Sequence, residues 1–286
     1  LGCYSNFTFL EGASHPDEMV AQAAALGWAS IGIADVNSLA GIVRAHVAAR
    51  EHQIRLIVGA RLRPVDGPDI LVHPCDRLGY ESLSVLLSEA NMRGSKAAPI
   101  LYLSDIKRLS ETTALLVMPP YHPDSEYQKD LQTIQQIAKG QIFSGISLYR
   151  DGADEARCQI LLALATKLRL QMAVSADALY HVSNRRVLSD VLSCIREKKQ
   201  LDQAGYILSR NAERHLIARD EVERRWRHMP EALEGTRILA DLCCFSMDDL
   251  SYEYPDELES GGRTAIQELV FQTWRGAKRR YLDEVP

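Results

Sequence analysis

The sequence lacks most of the short motifs that identify a catalytic or cofactor-binding site. Its 286 residues contain no GxGxxG or GxxxxGK[ST] loop for nucleotide phosphates and no GxSxG nucleophile elbow. No HxH, HExxH or DxH pair is present, and such short spacings commonly begin a metal site. The six cysteines form no CxxC pair and show no zinc spacing. This favours buried, reduced thiols in a cytoplasmic protein.

Long apolar runs and excess positive charge are also missing. No stretch approaches about 18 apolar residues, so we expect no transmembrane helix. The N-terminus has no basic segment followed by an apolar stretch, so we expect no signal peptide. The net charge of -5 argues against a free-standing nucleic-acid-binding protein, although not against a module of a larger DNA enzyme. Aromatic residues make up only 7% and do not alternate with basic ones as in single-strand binding platforms.

The sequence does contain a regular alternation of apolar β-type runs and helical stretches. This alternation predicts an α/β fold, either a barrel, which we favour because seven strands could close, or an open doubly wound parallel sheet. The first helix is expected to have Ser14 as its cap, Pro16 in its first turn and an end near Gly27. The predicted strands are 2–7, 30–34, 54–60, 69–73, 114–118, 142–148 and 171–175. The predicted helices are 16–26, 38–52, 78–92, 126–138, 154–168 and 184–197.

The pattern changes after about residue 200. Residues 218–228 and 231–243 read as helices, and a connector at 248–255 precedes an amphipathic helix at about 263–281. The end of this last helix is basic, which either complements the helix dipole or contacts a following domain or DNA. We therefore expect three parts: 1–200, a helical connector at 201–250 packed on the first part, and 251–286.

Polar residues at predicted strand ends form the candidate site, since parallel α/β folds place their chemistry at that edge. Carboxylates and imidazoles that converge there could hold divalent metals for phosphoester hydrolysis. Each residue also has a structural alternative. Asp35 could cap the helix at 38, Asp177 could bind nearby backbone amides, and the histidines could be loop, turn or exposed residues. The candidates are Glu11, Asp35, His73, His122, Asp177 and His181.

Six segments of the chain together resemble a known family. The segments are YSNFTFLEGASHP (4–16), IADVNSLAGIVRAH (33–46), DRLGY (76–80), NRR (184–186), NAERH (211–215) and LSYEYPDE (250–257). They resemble the PHP (polymerase and histidinol phosphatase) domain of bacterial error-prone DNA polymerases, which are C-family enzymes related to the polymerase III alpha subunit. The resemblance covers nearly the whole chain and implies a distorted seven-stranded βα barrel of PHP type with a C-terminal helical extension that leads to the polymerase body.

The resemblance also implies that the family's metal site is degenerate here. Active members begin their ligand set with HxH, where this chain has Gly2 and Tyr4. A ligand His corresponds to Val36, a ligand Glu to Arg61, and the His of a late Asp-x-His to Leu179. Loss of one ligand or its support costs roughly 10–100-fold in metal affinity or activity. Any surviving divalent ion (Zn, Mn or Mg) would be held by residues drawn from Glu11, His73, His122, Asp177 and His181.

The function that the resemblance implies is a scaffold within a damage-induced, translesion DNA polymerase that acts in DNA replication and repair. The fragment itself would lack nucleotidyltransferase activity, because the palm motif would lie beyond Pro286. Its partners would be the polymerase body, DNA through the parent enzyme and other mutasome proteins. The alternative is a metal-dependent phosphoesterase or 3′–5′ exonuclease of PHP type. A third interpretation is an interaction module that uses the last helix.

Overall fold

The structure, a computed structural model, describes residues 1–94, 98–250 and 263–281. Two compact units divide the chain, Leu1–Asp249 and Leu250–Pro286. In the described part of the first unit, six strands form one sheet in sequential order. The strands are β1 (Ser30–Val36), β2 (Arg55–Leu62), β3 (Ile70–Pro74), β4 (Thr113–Val117), β5 (Gln141–Ile146) and β6 (Gln171–Val174).

The helices follow the predicted order closely, and the bounds of α5 coincide with the prediction. Short 3₁₀ turns connect several of the elements. Within the first unit the helices are α1 (Pro16–Ala25), α2 (Ile42–Glu51), α3 (Arg77–Arg93), α4 (Ser125–Ile137), α5 (Asp154–Leu168), α6 (Arg186–Arg196), α7 (Arg219–Arg225) and α8 (Pro230–Leu242). The second unit contains α9 (Ala265–Tyr281).

Both faces of the sheet are buried, which explains why its strands are almost continuously apolar. Successive side chains of a strand point to opposite faces, so alternate residues join two different cores. The inner face carries Leu71, Leu116 and Phe143, and the outer face packs against the helices. This leaves the strand ends as the places where polar side chains can collect.

The prediction of a strand at 2–7 is wrong, because this segment forms only an isolated bridge between Cys3 and Ile33. Cys3 exchanges backbone hydrogen bonds with β1, and Tyr4 N donates to Ala178 O after β6. The ladder to β1 ends at Ser5, because its N–H donates to the Asp35 carboxylate at 2.7 Å instead of to a backbone carbonyl. The segment thus lies between the two edge strands without becoming a ladder strand.

The prediction of a parallel sheet is also wrong, since β3 runs antiparallel to both β2 and β4. The connection between β2 and β3 has no helix, and a parallel crossover needs a dozen or more residues. The sheet is therefore mixed, and the seven-stranded barrel remains a prediction.

Helix α1 begins at Pro16 as predicted, but its cap and the start of α2 differ from the prediction. The N-cap of α1 is His15, whose N–H donates to Glu18 Oε2 at 2.8 Å, whereas the Ser14 hydroxyl binds His181. Gly27 follows the end of α1 with a φ of 77°, as a helix-terminating glycine should. Helix α2 begins at Ile42 and not at 38, because Asn37 takes a left-handed conformation (φ 48°) and accepts from Arg63 N.

The predicted connector 248–255 lies mostly outside the described residues. The helix predicted at about 263–281 is observed as α9, which begins at Ala265. Among the described helices, none is both long and apolar enough to cross a membrane. The cysteines are free as predicted, but only some are buried. Cys3, Cys194 and Cys243 are buried, Cys75 and Cys158 are half-buried, and Cys244 is exposed.

Candidate functional site

Asp177 lies just after β6 and is held by two arginines and a tyrosine. Arg61 Nη2 donates to its Oδ1 at 2.5 Å, and Arg214 Nη2 donates to its Oδ2 at 2.6 Å. The Tyr149 hydroxyl donates to the same Oδ2 at 2.9 Å, and Arg214 Nε binds the backbone carbonyl of Asp177 at 3.0 Å. Both carboxylate oxygens are therefore bound by positively charged donors, and Oδ2 also accepts from the Tyr149 hydroxyl.

Arg61 is the centre of this arrangement, at the C-terminal end of β2. Its side chain is only 4% exposed, and its second terminal nitrogen donates to Asp69 Oδ2 at 3.2 Å. Its guanidinium carbon lies 4.4 Å from the centroid of the Tyr4 ring, which also faces Arg214 at 5.7 Å. A guanidinium on an aromatic face gains cation–π attraction, so Tyr4 supports both arginines.

Arg63 extends the network toward solvent. Its guanidinium donates to both oxygens of Glu11, at 2.7 and 3.2 Å, and its Nε donates to Asp69 at 3.2 Å. Three guanidiniums thus face three carboxylates at one edge of the sheet. We call this set the arginine cluster, and its charged members are Arg61, Arg63, Arg214, Glu11, Asp69 and Asp177.

The pKa directions agree with this charge pairing. Burial alone would raise the pKa of Asp177, but the charges of Arg214 and Arg61 and the hydrogen bond from Tyr149 outweigh burial, so the pKa is lowered. Burial would likewise raise the pKa of Glu11, and Arg63 reverses the direction. Burial would lower the pKa of Arg61, whereas the Asp177 charge raises it. All three groups therefore stay ionised near neutral pH.

Asp35 lies at the end of β1 and has a different environment. Its carboxylate accepts from Ser5 N at 2.7 Å, from Ser5 Oγ at 2.6 Å and from Thr8 Oγ1 at 2.7 Å. The predicted role as the cap of α2 is wrong, because these donors belong to the loop that precedes α1. Burial raises the pKa of Asp35, and the hydrogen bonds from Ser5 and Thr8 offset only part of that increase.

The predicted histidines do not join Asp177. His73 is buried on β3, where its Nδ1 donates to Val58 O at 2.9 Å. Leu71, and not His73, is the residue of β3 that pairs with Arg61. His122 is exposed beside Tyr121, and His181 Nδ1 pairs with Ser14 Oγ at 2.7 Å. Of the predicted ligands, the cluster contains only Glu11 and Asp177, and each is bound to a different arginine.

The arginine cluster does not fit a divalent metal. In the described ranges 1–94, 98–250 and 263–281, no group of three or more His, Cys, Asp or Glu side chains is placed to hold an ion. Each carboxylate that could act as a ligand is already bound by a guanidinium. A cation would have to displace that guanidinium and would then face its charge at short range.

Sequence reasoning identified Tyr4, Arg61 and Asp177 as neighbours but missed four members of the site. Arg214 falls in NAERH (211–215), a segment that carried the family resemblance without any assigned role. Tyr149 directly follows the predicted strand 142–148, and Asp69 begins the predicted strand 69–73. Nothing in the sequence indicated a role for Arg63, because only the fold brings it to Glu11, 52 residues away.

Comparison with known proteins places the chain in a family. Three curated relatives are the error-prone DNA polymerases of Rhodopseudomonas palustris (strain BisB5) and Dechloromonas aromatica (strain RCB) and error-prone DNA polymerase 1 of Rhizobium meliloti (strain 1021). They are 41, 37 and 39% identical to it, over 96, 100 and 100% of this chain. The chain spans 25, 28 and 26% of their lengths, about a quarter in each case.

The solved structures show weaker similarity. A proposed metal-dependent phosphoesterase from Bifidobacterium adolescentis is 15% identical and aligns over 61% of this chain and 85% of its own, with a TM-score of 0.47. An amidohydrolase from Chromobacterium violaceum is 14% identical over 60% of this chain and 83% of its own, with a TM-score of 0.45. These values are too low to support an argument about function. The family model named PHP domain matches residues 1–167, and the chain therefore belongs to the PHP domain family.

Proposed function

We propose that this chain is the PHP portion of an error-prone DNA polymerase and serves there as a structural scaffold without phosphoesterase activity of its own. The polymerase body of the same protein would be its partner, and polymerase activity would reside in that body. The observation that carries the proposal is the buried contact between Arg61 and Asp177 at 2.5 Å. The family resemblance assigns both positions to metal ligands.

The names and lengths of the relatives support the first half of this proposal. Each is called an error-prone DNA polymerase, and each is about four times as long as this chain. A domain that forms a quarter of a larger enzyme can contribute by positioning the rest. A damage-induced, translesion role of the parent enzyme follows only from its family and is part of the proposal.

The charge balance of the arginine cluster supports the second half. Three guanidiniums take the place of divalent cations and neutralise the carboxylates that would otherwise be available as metal ligands. Metal-dependent hydrolysis needs an ion that polarises the phosphoryl group or lowers the pKa of a bound water. A guanidinium has no coordination position in which a water could bind with a lowered pKa, so the cluster is suited to holding loops together.

The test combines metal analysis with an activity assay on the purified chain. Inductively coupled plasma mass spectrometry should find well below one equivalent of Zn, Mn or Fe after exposure to each metal and desalting. Assays with p-nitrophenyl phosphate and with a 3′-labelled single strand, in the presence of Mn²⁺ or Zn²⁺, should show no turnover above a blank purification.

Turnover that a chelator abolishes and that Glu11→Gln lowers would overturn the scaffold proposal in favour of a phosphoesterase or exonuclease. Glu11→Gln is the appropriate variant because its side chain is partly exposed, so the fold should tolerate it. Arg77→Gln is a matched control, since Arg77 is exposed at the start of α3, at the opposite edge of the sheet.

A further inference from the structure

A cavity of about 370 Å³ opens beside the arginine cluster. Three segments line it: the loop after β4 contributes Tyr121, the loop after β5 contributes Tyr149 and Asp151, and residues 208–214 contribute Arg210 and Arg214. Tyr149 and Arg214 belong to both the cavity and the contacts of Asp177. The cavity is therefore fixed on one side by the buried network.

The wall of this cavity is built from guanidiniums that lie on tyrosine rings. The rings of Tyr121 and Tyr149 are stacked with centroids 6.3 Å apart. Arg210 lies 5.6 Å from the Tyr121 centroid and Arg214 lies 5.5 Å from that of Tyr149. Buried Arg157 lies over both rings, at 5.1 and 4.7 Å. A guanidinium on a ring face can still donate from its N–H edge, and the ring restricts its orientation. Arg214 uses Nε and Nη2 on Asp177, which leaves Nη1 to donate into the cavity, and Arg210 uses Nη1 on Tyr121, which leaves its Nε and Nη2 fork.

The positive charge that lines the cavity exceeds the negative charge. Among the described residues, Arg210 makes no ion pair, and its Nη1 donates to the Tyr121 hydroxyl at 3.2 Å. Arg214 shares the single carboxylate of Asp177 with Arg61. Asp151 is the one carboxylate of the lining. It accepts from the Tyr121 hydroxyl and from Ala153 N, so its oxygens are engaged within the wall.

Two oriented guanidiniums at the edge of a polar cavity match a compact anion with several acceptor oxygens. A phosphate monoester has three terminal oxygens and nearly two negative charges at neutral pH, and arginine forks bind it by paired N–H donors. The volume exceeds that of a phosphate group alone and leaves room for a sugar or base attached to it.

We propose that this cavity binds a phosphomonoester through Arg210 and Arg214 without a metal ion and without cleaving it. The ligand is a nucleotide-type molecule, and its phosphate is carried either by a free nucleoside monophosphate or by the end of a DNA strand. The site lies beside the positions that the resemblance assigns to metal ligands and uses guanidiniums in their stead. It is an anion site and goes beyond the scaffold role.

The test is a binding titration of the purified chain in EDTA by isothermal calorimetry. The probes are dAMP, deoxyadenosine, and one single-stranded oligonucleotide prepared with a 5′-phosphate, a 3′-phosphate or neither. We expect a phosphorylated probe to bind at least about tenfold more tightly than its unphosphorylated counterpart, as a charged hydrogen bond implies. Arg210→Gln should weaken that binding about tenfold, whereas Arg77→Gln should leave it unchanged.

Arg210 is exposed, so Arg210→Gln should fold normally, and circular dichroism melting checks this. Tight binding of dAMP alone assigns the site to free nucleotides, and tight binding of a phosphorylated oligonucleotide assigns it to strand ends. Equal binding of phosphorylated and unphosphorylated probes would overturn the proposal, as would no binding, binding that needs a divalent metal, or no effect of Arg210→Gln. Release of inorganic phosphate during the titration would show that the ligand is cleaved and would contradict the scaffold proposal. Dependence of binding on Arg210 would still support the binding site in that case.

Discussion

Asp35 and Asp177 occupy corresponding places at the ends of β1 and β6, yet the protein stabilises them in opposite ways. Asp35 is surrounded by neutral donors from Ser5 and Thr8, and its pKa is raised by burial. Asp177 is clamped between Arg61 and Arg214, and its pKa is lowered despite equal burial. The difference shows that a carboxylate at a strand end can be either a loop anchor or a counter-ion for buried arginines.

Neutralising Asp177 should have the largest effect. Asp177→Asn leaves two largely buried guanidiniums without their shared counter-ion, so the free energy of unfolding should fall by about 3–5 kcal/mol. Urea unfolding followed by circular dichroism measures this loss. A loss no larger than that of Asp35→Asn would show that the two carboxylates are equivalent and that the charges contribute little.

The dependence of stability on pH should distinguish the arginine cluster from a third buried group, His73. Burial lowers the pKa of His73 to about 4 from 6.5, so the unfolded chain binds its proton at a higher pH than the folded chain does. Stability that is fully present above pH 6.5 should therefore be lost as the pH falls toward 4, by up to about 3 kcal/mol. Denaturant melts across that range measure the slope.

His73→Asn should remove this slope, because an amide can still donate to Val58 O but does not titrate. Asp177 has a lowered pKa, so its own contribution is lost only below pH 3.8. Asp35 has a raised pKa and should act with the opposite sign, since its folded form gains a proton more readily as the pH falls. An undiminished loss of stability between pH 6.5 and 4 in His73→Asn would contradict the assignment to His73.

Asp35→Asn should cost about 1 kcal/mol, much less than the same change at Asp177. The amide oxygen, placed as Oδ1, can still accept from Ser5 N and Thr8 Oγ1, and the Ser5 hydroxyl can turn to accept from the amide nitrogen that replaces Oδ2, so the contacts lose the carboxylate charge but none is left without a partner. Thermal unfolding at neutral pH provides the measurement. Asp35→Ala is the companion variant, and it should be more destabilising because it leaves all three donors without an acceptor.

Glu11→Gln should have the smallest effect, below about 1 kcal/mol, because the Arg63 guanidinium is 39% exposed and keeps its contact with Asp69. The loss should shrink further in 0.5 M salt, which screens exposed pairs. If Glu11→Gln were as costly as Asp177→Asn, the cluster would be one cooperative unit instead of a buried core with an exposed rim.

Much of the fold was accessible from sequence, because strands buried on both faces leave nearly uninterrupted apolar runs between amphipathic helices. The errors fall where a single side chain competes with the backbone pattern. The strand at 2–7 failed because the Asp35 carboxylate takes the Ser5 N–H. The reversed direction of β3 was detectable in principle, since no helix fits between 60 and 69.

The site was predicted in part, and for reasons of the same kind. The family resemblance correctly pointed to one locus that contains the replacements Tyr4 and Arg61 and the retained Asp177. The histidines were wrongly grouped with them, because residue type and strand-end position do not report which direction a side chain takes. His181 turned to Ser14, and His73 lies on the inner face beside Val58.

The sequence by itself determined the α/β class, the order of nearly all elements and the family, since these depend on local periodicity and on segments of contiguous residues. Only the tertiary structure decided what Asp35 and Asp177 do. Their partners lie 27 to 116 residues away in the chain. Electrostatic pairing depends on distances of a few ångströms between side chains that the fold alone brings together.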